Sequence, residues 1–167
     1  VKLNGQTIIP DRTFSHQRTS NGMALEYFST FTDITNQVQT TGNGTYTLSD
    51  LDLTPWVPYY FQNRTNFGGW AIIIVYKNNA LPLNQLNVYD GLQVIPNQIL
   101  ITLNSLNVID NQNSKIGFLA WEGDVDIANG ESLFINNNPI SNPPLNPVSN
   151  AFNGTNSFTN TSNLYNM

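Results

Sequence analysis

The chain has 167 residues, no cysteine, 10% charged residues and a formal net charge of -5. That length suits one domain with a sizeable core, and the missing cysteine excludes a disulfide scaffold and thiolate metal centres while leaving secretion open. Six scattered basic residues against eleven acidic ones exclude the clustered cationic surface that nucleic acid demands.

Polarity here is carried by Asn, Thr, Ser and Gln rather than by the Glu, Lys, Arg and Ala of helix surfaces, so the composition points to strands and turns. Lys2 to Ile9 reads as two short strands about Asn4-Gly5, the dipeptide that best tolerates a type I′ hairpin turn. The same dipeptide recurs at Asn21-Gly22, Asn43-Gly44, Asn129-Gly130 and Asn153-Gly154. Ala24 to Thr30 is apolar and aromatic enough for a strand. Thr32 to Val38 predicts a capped helical turn with Ile34 and Val38 on one face, the sole helix expected. Thr45 to Leu53 alternates, which predicts a strand with one wet face.

Gly68-Gly69-Trp70-Ala71-Ile72-Ile73-Ile74-Val75-Tyr76-Lys77 does not alternate, so it reads as a central strand covered on both faces. It contains the longest apolar run, Trp70 to Tyr76, which is far too short to span a membrane. Leu86 to Asp90, Ile99 to Val108, Lys115 to Glu122 and Ser132 to Asn136 supply further strands, spaced as in a sandwich or jelly roll. From Asn136 the composition turns to Asn, Pro and Ser, and Pro139, Pro143, Pro144 and Pro147 argue against a regular ladder. Residues 136–167 therefore read either as a disordered linker or as an ordered surface loop held by Leu145, Phe152 and Phe158. No repeat of fixed period is visible.

Catalytic constellations are scarce. The lone histidine, His16, lies in a polar stretch that reads as a loop, with no Gly-x-Ser-x-Gly elbow elsewhere, and it is expected to be a surface residue. Glu122-Gly123-Asp124-Val125-Asp126 gathers three carboxylates after a strand. If extended, the i, i+2, i+4 spacing sends Glu122, Asp124 and Asp126 to one side, where calcium would accept their oxygens, although the spacing is not that of an EF-hand. The alternative is a solvated loop. Glu122, beside Trp121, paired with Asp124 or Asp50 also fits the outline of a glycosidase acid and its partner.

Trp56-Val57-Pro58-Tyr59-Tyr60-Phe61 reads as a Pro-bounded loop. Its rings either bind, with Trp56, Tyr59, Tyr60 and Phe61 stacking on sugars or anchoring a protein partner, or fold back into the end of a sandwich. Asn-x-Ser/Thr acceptors at Asn43, Asn63, Asn153 and Asn160 mark expected surface loops.

Five motifs occur in order: Phe31-Thr32-Asp33-Ile34-Thr35; Gly44-Thr45-Tyr46-Thr47-Leu48; Gly68-Gly69-Trp70 through Tyr76; Leu81-Pro82-Leu83 through Val88-Tyr89-Asp90-Gly91; and Gly117-Phe118-Leu119-Ala120-Trp121-Glu122-Gly123-Asp124. Over about residues 23–165 this pattern resembles domains of the large adhesin-like surface proteins exported by gliding, Bacteroidetes-type bacteria. The resemblance implies an extracellular, non-catalytic β-sandwich module used for adhesion or as a structural spacer, within a filament or repeat array. It also implies continuation beyond both ends, in keeping with Val1 rather than Met at the start, and strand exchange with neighbouring modules or subunits.

The expectation is thus an all-β, jelly-roll-like antiparallel sandwich over residues 1–167 with at most one short helical turn. Its expected partners are a surface glycan or another protein module, with calcium as the only cofactor considered. The alternative is a carbohydrate-binding or carbohydrate-cleaving domain.

Overall fold

Asn4 and Gly5 hold φ of 49° and 78°, and Asn21 and Gly22 hold 50° and 76°. Both central residues of each turn are therefore left-handed, as a type I′ turn requires, and each turn closes a hairpin with the twist its strands need. The computed structural model describes residues 1–95, 97–108, 112, 114–121, 123–126, 128–156 and 159–162. It is β-rich, with small antiparallel sheets and few helices. The chain falls into two compact units, Val1–Asn113 and Ser114–Met167.

In the first unit, β1 (Lys2–Leu3) pairs with β2 (Gln6–Thr7) across Asn4-Gly5 and, on its other edge, with β5 (Leu48–Ser49). Asn4 fastens that second edge, its N–H donating to the Thr47 carbonyl while its Oδ1 accepts the Thr47 N–H, both at 2.8 Å. Leu3, 1% exposed, is the apolar centre of this sheet, and burying such a side chain stabilises by about 2 kcal/mol.

The longest ladder joins β3 (Arg12–Ser20) to β4 (Met23–Phe31) around Asn21-Gly22, from Ser20↔Met23 to Arg12↔Phe31. Burial alternates along it: Phe14, His16, Leu25, Tyr27 and Phe31 lie on the covered face, while Thr13, Ser15, Gln17 and Thr30 are exposed. His16 accordingly stands half-buried in a strand opposite Tyr27, not in a surface loop. At the far end the Arg12 guanidinium lies 4.1 Å over the ring of its cross-strand neighbour Phe31 and donates to Asp90 Oδ2 at 2.7 Å.

The expected helical turn is α1 (Thr35–Thr41). Asp33 Oδ1 accepts the Thr35 N–H at 2.9 Å and its hydroxyl at 2.5 Å, doing one residue early what an N-cap does, and Gly42 at φ 62° ends the helix. A second helix, α2 (Val57–Gln62), corrects the expectation of a single helical turn. Pro58 falls in the first turn, where its missing N–H has no intrahelical partner to lose and its fixed φ starts a helix.

Several expected strands form no ladder among the described residues. Of Thr45 to Leu53 only Leu48–Ser49 pairs, and Trp70 to Tyr76, Leu86 to Asp90, Ile99 to Val108 and the described part of Lys115 to Glu122 carry no assigned strand. A doubly covered strand needs a neighbour on each edge and a layer on each face. Trp70 is held, lining a cleft of about 100 Å³ with Val1, Ile8, Pro10, Thr30 and Thr32. Beyond it Ile73, Ile74, Val75 and Tyr76 are all exposed, so neither face is covered. Leu86 to Asp90, with Gln85 just before it, does meet Ile99 to Val108 through side chains: Gln85 donates to the Ser105 carbonyl at 2.9 Å and accepts the Asn107 N–H at 3.0 Å, and Tyr89 donates to the Asn104 carbonyl at 2.7 Å.

In the second unit β6 (Leu133–Ile135) and β7 (Asn138–Ile140) form a third hairpin, turned by Asn136 and Asn137 at φ 49° and 65°. Pro139 sits inside this ladder, contrary to the expectation from its ring. With Ile135↔Asn138 as the hydrogen-bonded pair next to the turn, Phe134↔Pro139 is the non-hydrogen-bonded pair, where an absent N–H costs nothing. β8 (Thr155–Asn156) pairs with β9 (Thr161–Ser162). Between the hairpins the chain is ordered by amides: Asn146 donates to the Ala151 carbonyl at 2.9 Å, and Asn153 donates to the Leu145 carbonyl at 3.1 Å and accepts the Thr155 hydroxyl at 2.6 Å. Of the residues expected to hold this region, Phe152 lies edge-on to Phe118 at 5.5 Å and Phe158 lies outside the described residues. Asn153, expected on a surface loop, is buried.

Gly22→Ala should lower unfolding free energy in urea by about 1 kcal/mol, because Ala strains at positive φ, while Gly91→Ala, with open space around it, should change little. Acid should also weaken the first unit. Hydrogen bonds from Thr35, Lys2 and Thr54 hold Asp33, Asp50 and Asp52 below their ordinary value of 3.8. A lowered folded pKa stabilises fully above the unfolded value and ceases to do so as pH falls through the folded one. Melting temperature should accordingly drop below about pH 4, and less steeply in Asp33→Asn.

Candidate functional site

The aromatic segment expected to bind is divided by its helix. At about 100° per residue, Tyr59 and Phe61 diverge by roughly 160° on either side of Tyr60. Tyr60 points inward: its hydroxyl accepts the Glu26 N–H at 3.0 Å and donates to the Glu26 carbonyl. Glu26 pairs with Gln17 at a position whose backbone groups face away from β3, so the phenol occupies β4's outer edge. Its ring meets Tyr27 edge-on at 5.6 Å, and Tyr27 stacks on Phe67 at 5.4 Å, beside the buried Leu25. Trp56, Tyr59 and Phe61 are 60%, 50% and 68% exposed. The segment thus anchors through Tyr60 and presents Trp56 with Tyr59 on one side and Phe61 on another.

β3 has the opposite character. The outward backbone groups of Thr13, Ser15, Gln17 and Thr19 have no backbone partner among the described residues. A groove of about 430 Å³ follows this edge, lined by His16, Gln17, Arg18, Gln93, Val94 and Ile95.

Of the three carboxylates expected around calcium, Glu122 lies outside the described residues, and Asp124 and Asp126 are exposed. Among the described residues no three His, Cys, Asp or Glu side chains gather closely enough to hold a metal ion. The loop itself is fixed. Asn150 donates from Nδ2 to the Val125 carbonyl at 2.9 Å, and Gly123 packs so tightly on the Phe152 carbonyl that a Cβ there would overlap it. Asp50, the other carboxylate weighed against Glu122, belongs to the first unit and pairs with Lys2 at 2.7 Å.

Two polar residues that sequence reasoning passed over stand behind this loop. Glu131 and Asn150 are paired in a parallel bridge, with the Ala151 N–H donating to the Glu131 carbonyl at 2.9 Å and the Ser132 hydroxyl to the Val148 carbonyl at 2.7 Å. Glu131 Oε2 and Asn150 Oδ1 are both buried without a hydrogen-bond partner among the described residues. Nothing local in the sequence separates Asn150 from its many surface counterparts.

No protein-family model, curated protein or solved structure matches the chain.

Tyr60→Phe should destabilise the protein by about 1–2 kcal/mol in urea, because two edge groups of β4 lose their partner. Phe61→Ala should leave stability within about 0.5 kcal/mol of the parent.

Proposed function

We propose that this chain is a non-catalytic module of an extracellular, cell-surface protein of adhesin or structural kind, which works by joining neighbouring modules or subunits. The observation that carries this reading is the exposed run Ile73-Ile74-Val75-Tyr76, a β-branched segment uncovered on both faces. Contiguous apolar surface of this kind marks association. A strand with such a sequence is satisfied by pairing with a strand of a partner, whose backbone completes the ladder and whose layer covers the side chains. In the assembled state the architecture proposed is an antiparallel β-sandwich of jelly-roll kind, the arrangement that the five-motif resemblance implies. The open edge of β3 offers a second place for strand addition.

Light scattering on the size-fractionated protein should show concentration-dependent self-association, and Ile74→Lys with Val75→Lys should shift it to monomer without loss of the β signal. A parent chain that stays monomeric at high concentration would sink this reading.

A second reading, carbohydrate binding, is supported by Trp56 and Tyr59, two exposed rings a turn apart beside an anchored helix. Calorimetry against a glycan panel should then show an affinity that Trp56→Ala abolishes and Phe61→Ala leaves intact.

A further inference from the structure

We propose a hard-cation site, of calcium class, between Glu131 Oε2 and Asn150 Oδ1. A parallel bridge sends the side chains of its paired residues to the same side, so these two oxygens belong to adjoining positions. Both are buried and neither meets a donor among the described residues. Asn150 is 4% exposed, so water cannot reach its oxygen from bulk. Flipping the amide does not relieve the shortage. It would set Oδ1 against the Val125 carbonyl, which now receives Nδ2 at 2.9 Å, so a bond from the relocated Nδ2 to Glu131 Oε2 would replace that one and still leave two acceptors, now facing each other.

A water could donate one hydrogen to each oxygen, but a divalent cation also matches the negative charge of Glu131, whose Oε2 is turned inward on a half-buried residue. The charge balance of this part of the sequence favours a cation. Residues 114–167 hold four carboxylates, Glu122, Asp124, Asp126 and Glu131, and one basic residue, Lys115. The amide of Asn150 ties the site to the Asp124–Asp126 loop, so two further carboxylates belong to the segment beside it. The donors are all oxygen, one carboxylate and one amide carbonyl, which suits calcium and leaves its remaining positions to backbone carbonyls or water. The sequence pattern suggests a calcium loop at Glu122, Asp124 and Asp126; the site proposed lies instead at Glu131 and Asn150, tied to the Asp124–Asp126 segment through the Val125 carbonyl.

This inference does not depend on self-association and is tested on the intact chain under conditions where it is monomeric, or on the Ile74→Lys, Val75→Lys variant. Calcium titrated into chelator-stripped protein should give one saturable site by calorimetry and raise the melting temperature, and terbium should compete with calcium for it. Glu131→Gln, which keeps shape and removes charge, should weaken binding by about tenfold or more. Asn150→Asp, which adds a charge at the same oxygen, should retain it. Absence of a saturable site at millimolar calcium would overturn the inference. So would parental affinity in Glu131→Gln together with loss in Asp124→Asn, which would place the ion on the exposed loop instead.

Discussion

Every backbone N–H and C=O that leaves water needs a partner, and this chain meets that demand to an unusual degree with short polar side chains. Where its ladders stop, an amide or phenol takes over. Asn4 completes the edge between β1 and β5, Tyr60 closes the outer edge of β4, Gln85 stands in for a strand opposite Ser105 and Asn107, and Asn146 and Asn153 satisfy the carbonyls of a proline-rich segment. A side-chain amide carries the same donor and acceptor as a peptide unit, so it can continue a hydrogen-bond pattern where the backbone bends away. The scarcity of charge follows from the same choice. An amide can be buried with its bonds made, as Asn146 and Asn153 are, whereas a lysine or glutamate in their place would need a counterion.

The two ends of the chain differ in what organises them. In the first unit the hairpins rest on apolar centres, Leu3 and Leu25, with Tyr27, Tyr60 and Phe67 arranged about the second. In the second unit the described buried residues are Ala151 and three asparagines. Such a polar centre specifies one arrangement strongly, because each missed bond leaves a buried group unpaired. It also makes Glu131 and Asn150 conspicuous, two acceptors without donors among the described residues in a region whose other amides are paired.

Local turn chemistry was the most legible part of the fold. Asn4-Gly5 and Asn21-Gly22 place their hairpins because few residues tolerate two successive positive φ angles. Asn43-Gly44 carries the same letters, but the positive φ nearby falls at Gly42, the end of α1, so the helix decides that turn. The Asn136-Asn137 turn was hidden by Pro139, since the harm a proline does depends on which of two alternating registers it occupies. Trp70 to Tyr76 misled differently: its composition describes what a strand needs, and a sequence does not say whether its own chain supplies that. The binding segment was legible as aromatic and not as divided, because the inward turn of Tyr60 is set by a contact 34 residues away at Glu26. Asn150 was illegible for the same reason, its environment coming from Val125 and Glu131.

The phenol at Glu26 gives the long hairpin two unlike margins. At Glu26 the outer backbone groups of β4 are taken by Tyr60, whereas the outward groups of Thr13, Ser15, Gln17 and Thr19 on β3 have no backbone partner among the described residues. Only the part of β4 at Glu26 is closed in this way, so the two long edges of one hairpin differ at that point in what they can accept, a difference set by a single phenol from another element.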